Sequence, residues 1–516
     1  MPPHALKHEP LDAYNLALTE NLHPSGWVNP TPADRYNMVV IGAGTAGLVT
    51  AAGAAILGAK VALVERDLMG GDCLNFGCVP SKALIRSARA AAAVRDAGRF
   101  GVEVPVGVRV NFEAVMERMR KLRAELSPTD SANRFRGLGV DVFIGDGRFV
   151  APDCVEVDGK RLKFKKAAIT TGARAASLPI PGLTEAGYLT NETVFSLTEL
   201  PRRIAVIGAG PIGCELAQTF ARFGAQVFLL EVAPQILIRE DRDAAERVER
   251  AIVRDGVEII TSCKILSVFR RDNEKIIAIE RDGVRREIAA DEILIGVGRA
   301  PAVEGLNLEA AMIEYDQQNG VKVDDHLRTT NPLVYAGGDV ASPYKFTHLS
   351  DAHARIILRN ALFFGRQRAS QLTIPWCTYT DPEIAHVGLY EAEAKQRGIS
   401  VATYTQELKE VDRAVLDGET EGFVKVLVKE GSDKIVGATI VASHAGEMIS
   451  ELTTAIKARV GLGSLGDVIH PYPTQADAIR RAAGLYTRSR LTPFVAGLMK
   501  RWFALRDEKK ISAGAS

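Results

Sequence analysis

The hydrophobic pattern of the chain combines short, fully apolar runs with longer stretches of helical spacing. Met38–Ile41 is apolar and β-branched, and a glycine-rich turn and a helical stretch separate it from a second run, Lys60–Val64, which ends at Glu65. Such runs are typical of strands buried in a parallel sheet. The stretch Met38–Val64 is almost uncharged and long enough to cross a bilayer, but its five glycines favour a strand, turn, helix and strand.

The same succession recurs later in the chain. Ile204–Ile207 is apolar, a glycine-rich turn and a helical stretch follow, and Gln226–Leu230 ends at Glu231. Each glycine of the second turn follows its counterpart by 166 residues, and Glu231 follows Glu65 by the same interval. Identical internal spacing predicts two copies of one nucleotide-binding unit.

Both turns carry the glycine spacing of a dinucleotide-binding fingerprint. Its first glycine makes the tight turn, its second lets the backbone approach a pyrophosphate, and its third lets helix and strand pack closely. The helix N-terminus offers N–H groups to the phosphates, and the terminal carboxylate accepts the ribose hydroxyls. The predicted cofactor-binding residues are Gly42, Gly44, Thr45, Ala46, Gly47 and Glu65 in the first copy, and Gly208, Gly210, Pro211, Ile212, Gly213 and Glu231 in the second.

Two fingerprints predict two bound dinucleotides. Cys73 follows Glu65 by only eight residues, which places a cysteine pair next to the first copy and favours FAD there, with the nicotinamide in the second copy. Glu231 repels a 2′-phosphate, and the four residues after it include no arginine that could accept one. NADH is therefore favoured over NADPH, although Arg239 keeps NADPH open.

Composition and charge narrow the class of protein. A chain of 516 residues indicates about three or four domains. The apolar fraction of 47% is ordinary for a globular protein, and the net charge of +1 gives no basic field, so nucleic acid is not an expected partner. The N-terminus shows no secretory signal, and a cytoplasmic location is expected.

The segment Gly70–Lys82 contains two cysteines, Cys73 and Cys78, which are candidates for a redox-active pair, and a helical stretch follows it. A helix N-terminus lowers the pKa of a thiol and stabilises its thiolate. A structural disulfide and half of a zinc site are the alternatives. The sequence has no second Cys or His pair to complete a metal site, so no resident metal is predicted.

This segment resembles the redox-active signature of the pyridine nucleotide–disulfide oxidoreductases, and the resemblance extends over roughly residues 36–483. It implies that Cys78 faces the flavin as the charge-transfer thiolate and that Cys73 is the interchange thiol that meets the substrate. Lys82 then lies near the flavin ring, with Glu215 as its ion-pair partner. Further residues that match flavin or nicotinamide contacts of the family are Gly71, Gly147, Thr171, Gly172, Gly298, Asp339, Phe346, Thr347 and His348.

The resemblance also implies an α/β fold with two Rossmann-like three-layer domains, for FAD and NAD(P), and an α+β C-terminal dimerisation domain. Strands are predicted in the last domain over Gly422–Val428 and Lys434–Val441. A homodimer that completes the active site is implied. The predicted divisions are an N-terminal extension at 1–35, an FAD domain at 36–195 and 305–370, an NAD(P) domain at 196–304, an interface domain at 371–490, and an amphipathic C-terminal helix and tail at 491–516.

One segment departs from the disulfide-reducing members of the family, which carry His-Pro-Thr there with an acid after it. Alignment on Pro473 and Thr474 puts Tyr472 at the histidine position and Asp477 at the acid position. A phenol, with a reference pKa of about 10, is a poor proton shuttle for a thiol near neutral pH. His470 is either an alternative base or a packing histidine.

Mercuric reductases are similar in having a tyrosine at this position. However, residues 501–516 contain no cysteine, and no Cys-x-x-Cys motif precedes residue 36, so two metal-delivering features of those enzymes are missing. The leading hypothesis is an FAD-dependent NAD(P)H oxidoreductase that passes electrons through the Cys73–Cys78 pair to a soft metal ion such as Hg(II) or another thiophilic acceptor. The alternatives are a dihydrolipoamide dehydrogenase or other disulfide reductase, and a membrane-associated NADH:quinone electron transfer.

The two ends of the chain are less informative. A short helix is predicted over Leu11–Leu22, and the role of residues 1–35 is open. Near the C-terminus, apolar residues from Leu491 to Phe503 fall on one helical face beside Lys500 and Arg501. This stripe could rest weakly on a membrane surface or pack on the dimer.

Overall fold

A computed structural model describes residues 8–176 and 178–513, with only the backbone described for residues 505–513. Residues 1–7 and 514–516 of the predicted terminal segments therefore lie outside the described residues. The helices are α1 Ala13–Leu22, α2 Thr45–Ile56, α3 Gly71–Asn75, α4 Cys78–Arg95, α5 Phe112–Leu126, α6 Ala132–Gly137, α7 Leu183–Ala186, α8 Pro211–Phe223, α9 Arg242–Arg254, α10 Thr347–Leu362, α11 Glu391–Gln396, α12 Asp412–Asp417, α13 Ala445–Ala458, α14 Leu462–Leu465, α15 Asp477–Ser489 and α16 Pro493–Ala513.

The strands are short and mostly buried, as the apolar runs predict. They are β1 Tyr36–Ile41, β2 Val61–Glu65, β3 Val140–Ile144, β4 Arg148–Ala151, β5 Cys154–Val157, β6 Lys160–Ile169, β7 Ala173–Ala175, β8 Arg203–Ile207, β9 Gln226–Leu230, β10 Val257–Ile260, β11 Lys264–Arg271, β12 Glu274–Arg281, β13 Val284–Ala290, β14 Glu292–Ile295, β15 Arg299–Pro301, β16 Tyr315–Asp316, β17 Gly320–Val321, β18 Val334–Ala336, β19 Pro375–Thr378, β20 Glu383–Gly388, β21 Val401–Glu407, β22 Phe423–Lys429 and β23 Ile435–Ala442.

The chain folds into two compact units, of which the first comprises residues 1–238 and 252–372 and the second residues 239–251 and 373–516. The first unit contains both nucleotide-binding copies. In the first copy, β3, β2, β1 and β6 lie side by side in parallel, and β18 pairs with the end of β6. The turn after β1 therefore lies where the strand order reverses, which is where sheets of this kind bind ligands.

The second copy repeats this arrangement with β10, β9, β8 and β14 in parallel order. A three-stranded antiparallel sheet, β11–β12–β13, is inserted in sequence between β10 and β14. The core residues of β8 and β9 are buried, with α8 packed against both strands and β13 against β8. The strand, turn, helix and strand predicted for each copy are thus observed, and the fold class predicted from the sequence is confirmed.

The second unit is built on a five-stranded antiparallel sheet in the order β19–β20–β23–β22–β21. Helices α13 and α15 pack on this sheet and share its apolar core, which includes Val426, Ile440, Leu452 and Ile479. The predicted strands of this region occur one residue later than predicted. The five-part division predicted from the sequence stays a prediction.

At the N-terminus, the helix predicted over Leu11–Leu22 spans Ala13–Leu22. At the C-terminus, a helix spans Pro493–Ala513, so it begins two residues after the predicted start of the apolar stripe. Among the described residues, no helix is both long and apolar enough to cross a membrane.

Candidate active site

The first glycine turn has the backbone geometry of a phosphate-binding loop. A Cβ atom on Gly47 would lie 1.8 Å from the carbonyl oxygen of Gly42, so only glycine allows α2 to start this close to β1. A Cβ atom on Gly44 would have only the Cα of Gly71 within 4 Å, at 3.7 Å, and the backbone at Gly44 is therefore open to a close approach. Gly44 caps α2, whose first residues are Thr45 and Ala46. This turn fits the pyrophosphate of FAD.

The second turn reproduces the first in detail. A Cβ atom on Gly213 would lie 1.9 Å from the carbonyl oxygen of Gly208. Gly210 caps α8, which begins at Pro211, a residue type favoured at the first position of a helix, and continues with Ile212. The second turn therefore fits a nicotinamide dinucleotide in the same way.

The two terminal glutamates make matching hydrogen bonds. Glu65 accepts the backbone N–H of Ala43 at 2.7 Å and that of Asp67 at 2.9 Å. Glu231 accepts the N–H groups of Ala209 at 2.7 Å and of Ala233 at 2.8 Å. Burial raises the pKa of Glu65, against the lowering effect of these N–H donors. Each carboxylate is thus fixed beside its glycine turn, where a ribose would lie.

The cysteine pair lies at the junction of α3 and α4. Cys73 is partly buried within α3, and Cys78 is the exposed first residue of α4. A hydrogen bond between the two sulfur groups raises the pKa of Cys73 and lowers that of Cys78. Burial acts to raise the pKa of Cys78, but Thr347 and Lys82 also lower it, and the resulting pKa is about 6. The Thr347 hydroxyl lies 3.4 Å from the Cys78 sulfur. The arrangement favours a Cys78 thiolate stabilised by the Cys73 thiol and by the helix N-terminus.

Lys82 and Glu215 form an ion pair that joins α4 to α8. The Lys82 amine donates to the Glu215 carboxylate at 2.7 Å, and Glu215 is 4% exposed. A buried carboxylate with a paired cation is costly to disrupt, because removal of the lysine would leave an uncompensated charge. Lys82 follows Cys78 by one helical turn, so the ion pair holds a positive charge near the thiolate.

The other predicted flavin contacts also lie in the first unit. Asp339 lies in the short helical turn after β18, and burial raises its pKa although Arg299 and Lys345 oppose this. Thr347 begins α10, and the rings of Phe346 and His348 stack at 5.3 Å. The remaining predicted contacts are loop or helix-start positions, namely Gly71 at the start of α3, Gly147 before β4, Thr171 and Gly172 after β6, and Gly298 before β15.

One network beside Cys73 was not predicted from the sequence. Asp72 accepts the guanidinium of Arg299 at 2.5 Å and the side-chain amide of Asn191 at 2.9 Å. Arg299 also donates to the carbonyl oxygen of Ala173 at 2.7 Å. Although burial alone would lower the pKa of Arg299, Asp72 raises it, so the pair is charged. The only signal in the sequence is the acidic residue next to the cysteine.

The C-terminal candidates lie in the second unit and differ in exposure. Tyr472 is 73% exposed, and its hydroxyl donates to Asp412 at 3.0 Å, which raises the pKa of the phenol. The His470 ring is engaged at both nitrogens, by the Val468 carbonyl oxygen at 3.1 Å and by Glu451 at 3.0 Å. Neither Asp412 nor Glu451 was singled out in the sequence, since each is far from its partner along the chain.

Asp477 is held by arginines rather than by Tyr472. The guanidinium groups of Arg480 and Arg481 donate to its carboxylate at 2.7 and 2.6 Å. Burial acts to raise the pKa of Asp477, but these two hydrogen bonds outweigh it and keep the pKa below its usual range. Asp477 is thus a charged residue at the start of α15.

Comparisons with known proteins agree with this geometry. A sequence model described as pyridine nucleotide-disulphide oxidoreductase matches residues 36–355, and that of the family's dimerisation domain matches residues 374–483. The mercuric reductase of Bacillus cereus is 33% identical over 447 residues, which cover 87% of this chain and 71% of that protein. The dihydrolipoyl dehydrogenase of Bacillus subtilis is 33% identical over 468 residues, which cover 87% and 98%.

Solved structures give the same assignment. The Cu(II) complex of the HOCl-induced flavoprotein disulfide reductase RclA from Escherichia coli superposes with a TM-score of 0.77 at 28% identity, covering 88% of this chain and all of that one. LpdA from Mycobacterium tuberculosis gives a TM-score of 0.80 at 26% identity, with the same coverage. The match to a dimerisation domain supports a homodimer.

Proposed function

Because the chain belongs to the pyridine nucleotide-disulphide oxidoreductase family, we propose that its Cys73–Cys78 dithiol delivers electrons to a soft metal ion such as Hg(II) or another thiophilic acceptor. Members of the family use FAD and NAD(P)H, which, when bound, supply the two electrons that reduce the disulfide. The reduced pair, a Cys73 thiol and a Cys78 thiolate, then loses two electrons to the acceptor and one proton to solvent, and forms the disulfide again.

The observation that carries this proposal is the exposed phenol of Tyr472 at the position where disulfide-reducing relatives keep a histidine. The hydroxyl is bonded to Asp412, which makes proton release harder. His470 is bonded at both ring nitrogens, so it would have to release one of these partners before it could take a proton from a thiol. A soft metal ion binds thiolates directly and does not need a proton from a base, so it suits this site better than a disulfide.

The residues around the two cysteines have different roles in the proposed reaction. Lys82 and the N-terminus of α4 hold the Cys78 sulfur as a thiolate, and Thr347 supplies a further hydrogen bond. Cys73 keeps its proton through its bond to Cys78 and is the sulfur that meets the acceptor. The Asp72–Arg299 ion pair fixes the backbone next to Cys73.

NADH is the proposed electron donor rather than NADPH. The Glu231 carboxylate is held in place by the N–H groups of Ala209 and Ala233. A 2′-phosphate at the neighbouring ribose would meet this fixed negative charge. Faster oxidation of NADH than of NADPH is therefore expected.

The test is a panel of acceptors offered to the purified flavoprotein with NADH or NADPH. Hg(II), Cu(II), lipoamide, oxidised glutathione and a soluble quinone are compared by initial rates of nicotinamide oxidation. Cu(II) is included because a solved relative is a Cu(II) complex. We expect Hg(II) or Cu(II) to give the highest kcat/KM, with NADH preferred. Faster turnover of lipoamide or glutathione than of both metal ions would contradict the proposal.

A disulfide reductase is the second candidate, since dihydrolipoyl dehydrogenases match this chain at the same 33% identity as mercuric reductases. It would use the His470–Glu451 pair, in which the carboxylate could orient the imidazole as a base. Lipoamide as the best acceptor in the panel would favour this candidate.

The exposed apolar residues of the C-terminal helix favour a weak contact with a membrane surface. Such a contact would in turn support the alternative function, electron transfer from NADH to a membrane quinone. Phe494, Leu498, Trp502 and Phe503 are each more than half exposed. The sequence contains no acidic residue between Asp477 and Asp507, and Lys500 and Arg501 lie on the same helix as these apolar residues. Exposed aromatic residues beside basic residues suit an anionic lipid surface.

Removal of residues 491–516 is expected to abolish binding to vesicles of phosphatidylglycerol, measured by co-sedimentation at low salt. Vesicles of phosphatidylcholine alone lack the anionic headgroup, so they measure how much of the binding to vesicles depends on lipid charge. Equal binding before and after the removal, or no binding by the full-length protein, would contradict the membrane contact.

A further inference from the structure

The segment of residues 8–22 precedes the range matched by the family, which begins at residue 36, yet it contacts the redox-active loop of the first unit. Its helix α1 packs against α5. Leu18 and Leu22 are fully buried and share a core cluster with Leu74 and Phe76, which lie between the two cysteines. We call residues 8–22 the N-terminal strap.

His8 of this strap contacts two residues that lie between the two cysteines. It is 4% exposed, its Nε2 atom lies 3.0 Å from the Asn75 side-chain oxygen, and its ring packs on that of Phe76 at 5.0 Å. The Asn75 amide nitrogen donates to the carbonyl oxygens of Met69 at 3.0 Å and Gly71 at 2.9 Å. The carboxamide oxygen therefore accepts, and the histidine donates.

Arg123 on α5 connects the strap to the same loop from another side. Its guanidinium donates to the Asn75 backbone carbonyl at 2.8 Å and to the Asn15 side-chain oxygen at 2.7 Å. Asn15 in turn donates to the carbonyl oxygen of Pro10 at 2.8 Å. Asn75 is thus held at its carbonyl, its carboxamide oxygen and its amide nitrogen, and two of these three groups depend on the strap directly or through one residue.

We propose that the N-terminal strap is a positioning element for the redox-active loop, which fixes Asn75 and Phe76 and thereby the placement of the Cys73 thiol against the Cys78 sulfur. The strap acts through the loop and needs no contact with the acceptor. This inference rests on the dithiol chemistry proposed above. It assigns a role to an N-terminal segment whose sequence alone shows none.

The physical consequence concerns the thiolate. The hydrogen bond from Cys73 is the largest contribution that lowers the pKa of Cys78 to about 6. Thr347, Lys82, Asp72 and Arg299 also act on Cys78, and all four belong to the body of the unit and not to the strap. A looser loop weakens the bond from Cys73 and raises the pKa of Cys78 by roughly 0.5 to 1 unit. This change corresponds to the loss of part of the free energy of one charge-assisted hydrogen bond.

The sign of the effect follows from linkage. A lowered thiol pKa stabilises the dithiol relative to the disulfide only above that pKa, where the thiolate exists. When the pKa rises, the stabilisation is reduced above about pH 7 and is unaffected well below pH 6. The expected shift toward the disulfide is about threefold to tenfold at pH 8 and vanishes near pH 5.

His8→Phe tests this in the full-length flavoprotein, because phenylalanine keeps the packing on Phe76 and loses the donor to Asn75. The disulfide-to-dithiol ratio of Cys73 and Cys78 is measured in dithiothreitol buffers from pH 5 to 8 by acid quenching, alkylation and mass spectrometry. His8→Gln, which can donate to Asn75 again, is expected to restore the ratio. Removal of residues 1–11 is expected to give at least the shift of His8→Phe.

Asn29→Ala is the matched control, since Asn29 lies in the same N-terminal extension and bonds to Ile144 at the edge strand β3 instead of the loop. An equal shift in Asn29→Ala, a shift independent of pH, or no shift in both His8→Phe and the truncated protein would overturn the proposal. The measurement needs neither nicotinamide nor acceptor. A failed acceptor panel with the expected His8 shift would therefore contradict only the proposed function.

Discussion

Replacing Cys73 with serine is expected to lower turnover with every metal-ion and disulfide acceptor that the wild-type protein reduces, by about 10³-fold or more. The hydroxyl of serine can neither form the disulfide with Cys78 nor bind a soft metal ion as a thiolate does. Reduction of the flavin by NADH should continue in the variant, because the nucleotide-binding turns are unchanged. Stopped-flow absorbance separates this first reduction from steady-state turnover.

The companion variant Cys78→Ser should lack the long-wavelength absorbance that a thiolate beside oxidised flavin gives, whereas Cys73→Ser should keep it. In the wild-type protein that absorbance is expected to fall as the pH falls through about 6, where the Cys78 thiolate gains its proton. Cys154→Ser is the control, since Cys154 is buried in β5 and is not among the groups that act on Cys73 or Cys78. Full turnover of Cys73→Ser on the best acceptor would contradict a dithiol mechanism.

The nucleotide-binding parts of the fold could be predicted because their function is local in sequence. A glycine turn, a helix start and an acid at the end of the next strand lie within one short segment, and their backbone geometry follows from that spacing. Glu65 and Glu231 make matching hydrogen bonds because the two copies have the same internal spacing.

The contacts that were missed join residues distant in the chain. Asp412 meets Tyr472, and Glu451 meets His470, only because the helices of the second unit pack on one sheet. His8 meets Asn75 only because α1 packs against α5. Nothing in the periodicity or composition of a segment encodes such a pairing, since it depends on the tertiary placement of whole elements.

In the C-terminal segment, too, the carboxylate beside Tyr472 comes from a residue distant in the chain. Alignment to the family assigned Asp477 to the acid position beside Tyr472, whereas the structure bonds Asp477 to Arg480 and Arg481. The carboxylate that Tyr472 contacts is that of Asp412. An imidazole introduced at Tyr472 would therefore find an orienting acid already in place.

Tyr472→His is accordingly expected to raise kcat/KM for lipoamide or oxidised glutathione by roughly 10²-fold, the range in which a positioned acid–base group acts. An imidazole has a reference pKa of about 6.5, close to assay pH, whereas a phenol begins near 10 and Asp412 raises the pKa of Tyr472 further. The gain should follow a pH profile that rises as the new histidine loses its proton. Rates with Hg(II) serve as the reference for intact folding and cofactor content.

Two control variants make the result specific. Tyr472→Phe removes the hydroxyl without adding a base, so it should give no gain on disulfides. Tyr472→His combined with Asp412→Asn should lose most of the gain, because the amide no longer offers a carboxylate to orient and stabilise the imidazolium. Equal rates for the histidine and phenylalanine variants would show that proton transfer at this position does not select the acceptor, and the argument from Tyr472 toward a soft metal ion would then fail.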